Sequence, residues 1–115
     1  MRILILEDDP LVGLDLQGLV EDCGHHVIAL CETLSLMRSR LSDAPDFAFL
    51  DIDLPDGKSF DLAGHLVERG VPFAFVSGSR QCEVPEHLRH ARFIAKPYGG
   101  AAIRNALALE NRLAG

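Results

Sequence analysis

The stretch Phe47-Ala48-Phe49-Leu50-Asp51-Ile52-Asp53-Leu54-Pro55-Asp56-Gly57 decides the fold of this 115-residue chain. Its four leading apolar residues predict a strand buried on both faces, and the Pro and Gly that follow predict a loop. We therefore expect Asp51 at the carboxyl end of a central strand. In open parallel α/β sheets this edge is where ligands bind.

Four further apolar runs predict strands on either side of this stretch. They are Ile3-Leu4-Ile5-Leu6, His26-Val27-Ile28-Ala29-Leu30, Phe73-Ala74-Phe75-Val76 and Phe93-Ile94-Ala95. Apolar residues at helical spacing predict helices over 11–23, 34–41, 60–67 and 100–113, and the third of these counts Val67 on its buried face. Residues 80–90 are weakly patterned and contain Pro85, so we expect at most one helical turn there.

This alternation predicts an α/β fold, a doubly wound five-stranded parallel sheet in the order 2-1-3-4-5. Helices cover both faces, which gives a three-layer sandwich with a reduced fourth helix. The order places the first and third strands side by side, with the topological switch point at their carboxyl ends. The length predicts one domain over residues 1–115.

Composition excludes several classes of function. With 48% apolar and 24% charged residues the chain is typical of a soluble globule, and its net charge of -6 argues against nucleic acid as a partner. No run reaches the ~18 apolar residues of a membrane span, and the start does not resemble a signal peptide, so we expect a cytoplasmic protein with no membrane partner.

Cysteines and histidines do not indicate a metal site or a disulfide framework. Cys23, Cys31 and Cys82 lack Cys-x-x-Cys spacing, and each is interpreted as a small buried hydrophobe. No cysteine or carboxylate at ligand spacing accompanies the five histidines to complete a tetrahedral set.

Polar residues follow four of the predicted strands directly. Glu7 and Asp8 follow the first, Asp51 the third, Ser77 the fourth and Lys96 the fifth. Each has an ordinary explanation when taken alone, as a solvated loop, a turn or a helix entry. Because the carboxyl ends of parallel strands share one edge, their convergence predicts a functional site.

The chemistry follows from the charges. Two or three neighbouring carboxylates repel one another, so either their pKa values rise or a cation holds them. Oxygen-only ligands favour Mg²⁺, and a carboxylate fixed beside the ion can attack phosphorus to give an acyl phosphate. The Ser77 hydroxyl and the Lys96 ammonium group would help to neutralise the phosphoryl oxygens. Asp9 is interpreted as a helix cap before Pro10.

Over its whole length the chain resembles the receiver domains of two-component response regulators, which have a flavodoxin-like fold. The resemblance rests on Glu7-Asp8 after Ile-Leu-Ile-Leu, on Leu-Asp-Ile-Asp-Leu-Pro around Asp51, and on Lys96-Pro97. It implies that Asp51 is the phosphoacceptor, that Asp8 binds Mg²⁺ directly and that Glu7 binds it through water.

The same resemblance implies roles for the remaining positions. The backbone carbonyl of Asp53 would reach the metal, Ser77 would be the switch hydroxyl and Phe93 the switch aromatic. The Lys96-Pro97 peptide bond would be cis. Asp53 and Ser79 would flank the path of water to the acyl phosphate and influence its lifetime, in a direction that the residues leave open.

The resemblance also implies partners. A histidine kinase or a histidine phosphotransfer protein would donate the phosphoryl group, and phosphorylation would switch a surface that binds an unidentified downstream protein. Beyond its own phosphorylation and dephosphorylation no enzymatic activity is expected. We expect no effector domain after Gly115, and hence a stand-alone receiver similar to those whose fourth strand ends in Phe-x-Thr-Gly-Tyr. A second apolar face of the last helix, Leu109 and Leu113, leaves a homodimer open.

Two other interpretations remain open at this point. Asp51-Ile52-Asp53 imitates the Asp-x-Asp of haloacid-dehalogenase-type phosphatases, although in that family the acidic pair comes last and the chain is longer. Alternatively, the domain binds a partner protein without being phosphorylated. Turnover of a phosphate ester would favour the first interpretation, and failure of Asp51 to be phosphorylated in the presence of Mg²⁺ would favour the second.

Overall fold

A computed structural model describes residues 1–114, with the side chains of residues 1–110. The strands are β1 (Arg2–Leu6), β2 (His26–Cys31), β3 (Phe47–Leu50), β4 (Asp53–Leu54), β5 (Gly57–Lys58), β6 (Phe73–Ser77) and β7 (Arg92–Ala95). The helices are α1 (Pro10–Asp22), α2 (Leu34–Arg40), α3 (Phe60–Glu68) and α4 (Gly100–Ala114). None of these helices is long and apolar enough to span a membrane.

Five of the strands form one parallel sheet in the order β2-β1-β3-β6-β7. This confirms the predicted order, since β6 and β7 are the fourth and fifth of the strands expected from the sequence. The pairing of β1 with β3 aligns Leu6 with Leu50, so both strands end at the same level. The residues that follow these two strands are therefore brought together at one edge.

Successive residues of each strand contribute to two separate cores, one on each face of the sheet. Ile3 and Ile5 pack with the helices α1 and α4, whereas Leu4 and Leu6 pack with α2 and α3. All four side chains of β3 are at most 1% exposed. Burial on both faces explains why the strands are continuous apolar runs without alternation.

The start and end of α1 confirm the sequence-based expectation. Oδ1 of Asp9 accepts hydrogen bonds from the N–H groups of Leu11 at 2.9 Å and Val12 at 3.3 Å, and Pro10 occupies the first helical position. The chain leaves the helix through Gly24 at φ +84°, a conformation that favours glycine. The hydrogen bonds that Asp9 accepts therefore hold the acidic segment before α1, and Gly24 ends the helix.

A short hairpin after β3 was not expected from the sequence. Strands β4 and β5 pair antiparallel around the turn Pro55-Asp56, with Asp53 opposite Lys58. The carboxylate of Asp56 accepts hydrogen bonds from the N–H groups of Leu34 at 2.9 Å and Ser35 at 3.1 Å, at the start of α2. The hairpin is therefore fixed by a helix that lies before it in the sequence.

Three local expectations were wrong. Val67 is 45% exposed rather than on the buried face of α3, because that face is formed by Leu62, Ala63 and Leu66. Cys82 is exposed, since it lies in a 3₁₀ turn, Gln81–Glu83, at the surface. A second 3₁₀ turn at Glu86–Leu88 means that the segment contains two turns rather than one.

The segment between β6 and β7 replaces a full helix, as the sequence predicted. Val84 and Leu88 insert into the core on the α3 side. Arg89 holds the backbone by donating from Nε to the carbonyl of Val84 at 2.8 Å and from Nη2 to that of Cys82 at 3.1 Å. In α4, Leu109 is 41% exposed, whereas the side chain of Leu113 lies outside the described residues.

Candidate functional site

Asp51 is the first residue after β3, and two backbone contacts hold it at the carboxyl edge of the sheet. Its N–H group donates to the carbonyl of Leu6 at 2.9 Å, which ties it to the end of β1. Its Oδ1 accepts a hydrogen bond from the N–H group of Ile52 at 2.8 Å. The side chain is only 10% exposed, so the carboxylate has a defined orientation in a largely buried position.

Glu7 and Asp8 follow β1 and bring two more carboxylates to Asp51. The N–H group of Glu7 donates to the carbonyl of Cys31 at 2.9 Å, and Oε2 of Glu7 accepts from the N–H group of Asp9 at 3.1 Å. One carboxylate oxygen from each of Glu7, Asp8 and Asp51 lies within 4.8 Å of the other two. We call these three residues the acidic cluster.

The acidic cluster fits a hard divalent cation such as Mg²⁺. All the potential ligand atoms are carboxylate oxygens, and Asp8 is exposed while Glu7 and Asp51 are buried. Mg²⁺ retains several waters when few carboxylates bind it, and the exposed side of the cluster leaves room for them. Within residues 1–110, no other group of three potential ligands converges in this way.

Lys96 follows β7 and brings a positive charge to the acidic cluster. Its N–H group donates to the carbonyl of Ser77 at 2.9 Å, and its peptide bond to Pro97 is cis, as expected. Its Nζ forms an ion pair with Oε1 of Glu7 and lies 3.2 Å from Oδ2 of Asp51. The ammonium group therefore bridges carboxylates from two strand ends.

Burial and pairing oppose each other in Glu7 and Lys96. Burial raises the pKa of Glu7 above 4.5, because it outweighs the hydrogen bonds from Lys96 and Asp9. Burial lowers the pKa of Lys96, but the hydrogen bond to Glu7 and the charges of Asp51 and Glu7 outweigh it, so the net pKa is raised above 10.5. The negative charge of Asp51 acts in the same direction on both groups, since it raises the pKa of Glu7 as well as that of Lys96.

Ser77 and Phe93 lie on the two strands beside the acidic cluster. Ser77 is 1% exposed and pairs with Ala95 of β7, and its Oγ accepts a hydrogen bond from the N–H group of Ser79 at 3.1 Å. Phe93 is half-buried against the core on the α3 side and pairs with Phe75 of β6. Phe93 therefore lies on the strand paired with β6, two residues before the partner of Ser77.

Asp53, Lys58 and Ser79 form a second polar group at this edge, which we call the clasp. Nζ of Lys58 forms an ion pair with Oδ1 of Asp53, and Oγ of Ser79 donates to Oδ2 of Asp53 at 2.8 Å. The hydrogen bonds from Lys58 and Ser79 lower the pKa of Asp53. The clasp joins the hairpin that follows Asp51 to the loop that follows Ser77.

The structure brings together some, but not all, of the residues singled out from the sequence. Glu7, Asp8, Asp51 and Lys96 converge, whereas the side chain of Asp53 is engaged by Lys58 and Ser79. Sequence analysis missed Lys58. A turn signal was present in Pro55-Asp56-Gly57, but it does not fix the register that places residue 58 opposite residue 53.

An apolar surface on α1 adjoins the site. Leu11 and Leu14 are 76% and 60% exposed. Leu14 lines a groove together with Leu19, Tyr98 and Lys96. The groove therefore connects the exposed face of α1 to the loop that carries the ammonium group.

The chain is similar in sequence to a curated bacterial regulator. The phyllosphere-induced regulator PhyR of Methylorubrum extorquens is 35% identical over 107 residues, which are 89% of this chain and 40% of the length of that protein. The chain thus spans less than half of this curated relative. No model of a protein family matches the chain.

Solved structures share the fold over nearly the whole chain. The non-phosphorylated HemR receiver domain from Leptospira biflexa is 30% identical, with a TM-score of 0.80 over 95% of this chain and 92% of that one. The BeF₃-activated conformation of SdrG from Pseudomonas melonis Fr1 is 31% identical, with a TM-score of 0.78 over 93% and 92% of the two chains.

Proposed function

This chain belongs to the receiver domain family of response regulators, and we propose that its Asp51 accepts a phosphoryl group from a phosphohistidine on a partner protein. The convergence of the acidic cluster with Lys96 carries this proposal, because it presents one oriented carboxylate beside a fixed cation and a set of metal ligands. The similar protein SdrG has been described in a BeF₃-activated conformation. Beryllofluoride resembles a phosphoryl group, which supports a phosphoacceptor role at the corresponding site.

The transfer exchanges one bond of phosphorus for another. A carboxylate oxygen of Asp51 forms a bond to phosphorus while the P–N bond of the phosphohistidine breaks. The electron pair of that bond returns to the imidazole ring, which leaves as neutral imidazole once its other nitrogen carries a proton. The ammonium group of Lys96 and the hydroxyl group of Ser77 would neutralise the phosphoryl oxygens.

Mg²⁺ is the cofactor that the donor set favours. The side chains of Asp8 and Asp51 and the backbone carbonyl of Asp53 would bind it directly, and Glu7 would bind it through water. When bound, the ion supplies positive charge beside the acceptor. It would also favour the ionised form of Glu7, whose pKa burial raises.

Phosphorylation would change the surface formed by β6, β7 and α4. A phosphoryl group on Asp51 would attract the hydroxyl group of Ser77, and movement at the end of β6 would give Phe93 room to turn inward. We propose that a downstream protein distinguishes the two positions of Phe93. Amide chemical shifts with and without beryllofluoride would test the relay, because changes confined to residues around Asp51 would contradict it.

The phosphoryl donor would dock on α1 beside the site. A double substitution of Leu11 and Leu14 by Ser should slow phosphoryl transfer from a histidine-phosphorylated protein by about tenfold or more, since exposed apolar side chains that lie together mark an interaction surface. Transfer from acetyl phosphate should be unchanged, because that donor needs no docking surface. Rates with both donors, followed by the mass of the intact protein, would measure the difference.

Val67 provides the matched control for this docking surface. It is 45% exposed but lies near the end of α3, away from the carboxyl edge of the sheet. Val67→Ser should leave both rates unchanged. If the Leu11 and Leu14 variant accepts the phosphoryl group more slowly from both donors, by the same factor, the site itself is damaged and a docking role is contradicted.

A labelling experiment tests the proposed function itself. Incubation with acetyl phosphate and Mg²⁺ should add the mass of one phosphoryl group to the intact protein, and EDTA should slow the reaction by about tenfold or more because the acidic cluster then lacks its cation. Absence of a mass change in Mg²⁺, with the fold intact by circular dichroism, would contradict the proposal. Continuous release of many phosphates per protein molecule would favour a phosphatase instead.

A further inference from the structure

We propose that Lys58 is a positioning residue that prolongs the lifetime of the acyl phosphate on Asp51, by keeping the carboxylate of Asp53 from assisting the attack of water. The inference rests on the proposed function of Asp51 as phosphoacceptor and deepens it. Asp53 lies two residues beyond Asp51 on the solvent side, with 54% of its side chain exposed, whereas the side chain of Asp51 is 10% exposed. Water that attacks the acyl phosphate must come from solvent, the side on which the Asp53 side chain is exposed.

The backbone around Asp53 is held at both ends of the hairpin. At its base, the N–H group of Ser59 donates to the carbonyl of Ile52 at 2.9 Å. At its turn, the carboxylate of Asp56 caps the start of α2. Leu54, between these points, is 8% exposed and packs into the core. The position of Asp53 is therefore set by the fold, and only its side chain is free to change partners.

Both carboxylate oxygens of Asp53 are engaged in the clasp. Oδ1 is taken by the ammonium group of Lys58, and Oδ2 by the hydroxyl group of Ser79 at 2.8 Å. A general base must have an oxygen within hydrogen-bond reach of the water that it activates. Within the clasp, each carboxylate oxygen of Asp53 already accepts a hydrogen bond, and its charge is offset by Lys58.

Ser79 connects the clasp to the switch hydroxyl. Its side chain donates to Asp53 while its N–H group donates to Oγ of Ser77 at 3.1 Å. The clasp thus bridges the two loops that leave the site, one after Asp51 and one after Ser77. If Lys58 is lost, Asp53 keeps a single hydrogen bond to an exposed loop and can rotate towards solvent.

The reaction that the clasp slows is hydrolysis of the acyl phosphate. The oxygen of water forms a bond to phosphorus, and the P–O bond to Asp51 breaks with its electron pair remaining on the carboxylate. The products are the Asp51 carboxylate and inorganic phosphate, which carries the protons of the water. From the sequence, Asp53 could have repelled hydroxide or oriented water. The ion pair with Lys58 favours the second role, in which the carboxylate would orient water if Lys58 did not hold it.

The test measures how fast the label disappears. The protein is phosphorylated with acetyl phosphate and Mg²⁺, the donor is removed, and the phosphorylated fraction is followed by the mass of the intact protein. Lys58→Met should shorten the half-life by about threefold or more, which is less than a fully positioned base contributes because the freed side chain is mobile. Lys58→Arg should restore a half-life close to that of the parent, since it retains the cation.

Two further variants separate the clasp from general effects of charge. In an Asp53→Asn background, Lys58→Met should leave the half-life equal to that of Asp53→Asn alone, because the carboxylate that it would release is absent. Arg80→Met removes an exposed cation next to Ser79 but outside the clasp, and should leave the half-life unchanged. A half-life of Lys58→Met equal to or longer than that of the parent overturns the inference alone. Failure of the parent protein to label overturns the proposed function.

Discussion

Asp51→Asn is expected to abolish phosphorylation completely, with no gain of mass after incubation with acetyl phosphate and Mg²⁺. The amide is nearly isosteric with the carboxylate, and its oxygen can still accept the hydrogen bond from the N–H group of Ile52. It is not a nucleophile towards phosphorus, however, so no acyl phosphate forms. The effect should be all-or-none, because Glu7 and Asp8 lie beside Asp51 but neither accepts the hydrogen bond from Ile52 that orients its carboxylate.

Asp53→Asn is the matched control for this prediction. It removes the other carboxylate of the same Asp-x-Asp sequence, which lies on the exposed rim and is engaged by Lys58. This variant should still gain the mass of one phosphoryl group. Reduction of the labelled parent with borohydride, followed by peptide sequencing, should place homoserine at position 51. Labelling of Asp51→Asn at the parent's rate would show that the acceptor is another residue.

The sheet and the acidic cluster could be predicted from the sequence because both depend on one physical rule. A strand covered by helices on both faces must be apolar throughout, so Phe47–Leu50 and Phe73–Val76 stand out as uninterrupted runs. Once the strands are parallel and adjacent, the residues that follow them meet at one edge. Lys96 could therefore be associated with Glu7, although 88 residues separate them along the chain.

The clasp could not be predicted because it depends on contacts between segments that carry no pattern of their own. Strands β4 and β5 have two residues each, too few to show periodicity, and they are held by the cap that Asp56 provides to α2. Lys58 then pairs with Asp53 because of the turn geometry. The exposure of Cys82 was missed for a similar reason, since this residue lies in a 3₁₀ turn of three residues.

Lys96→Met is expected to lower both the stability of the domain and its rate of phosphorylation. The substitution leaves Glu7, 3% exposed, and Asp51, 10% exposed, without their cation. In the presence of EDTA the free energy of unfolding at pH 7 should fall by about 2 kcal/mol, somewhat less than for a fully buried pair because Lys96 is 22% exposed. Labelling by acetyl phosphate should slow by about 10²-fold, the usual effect of removing one donor to developing charge.

The loss of stability should depend on pH in a defined way. The pKa of Glu7 is raised above 4.5 chiefly by burial, and loss of the hydrogen bond from Lys96 should raise it further. A group whose folded pKa is raised stabilises the fold when protonated, so the deficit of the variant should shrink as the pH falls through the pKa of Glu7. Lys96 has a pKa raised above 10.5, so its contribution to the parent is complete below 10.5 and is lost as the pH rises through that raised value. The deficit should therefore be largest between these two limits.

Urea unfolding of the parent and of Lys96→Met, at about pH 5 and pH 7 in EDTA, measures this difference directly. Lys58→Met is the matched control, because Lys58 is the other lysine of the chain and also pairs with a carboxylate, but in an exposed position. Exposed ion pairs contribute little to folding, so this control should unfold close to the parent at both pH values. Adding Mg²⁺ should restore part of the stability that Lys96→Met loses, since a divalent ion on the acidic cluster supplies the missing charge. An equal deficit in both lysine variants, or a deficit that Mg²⁺ and acid leave unchanged, would mean that Lys96 acts through packing rather than by neutralising Glu7 and Asp51.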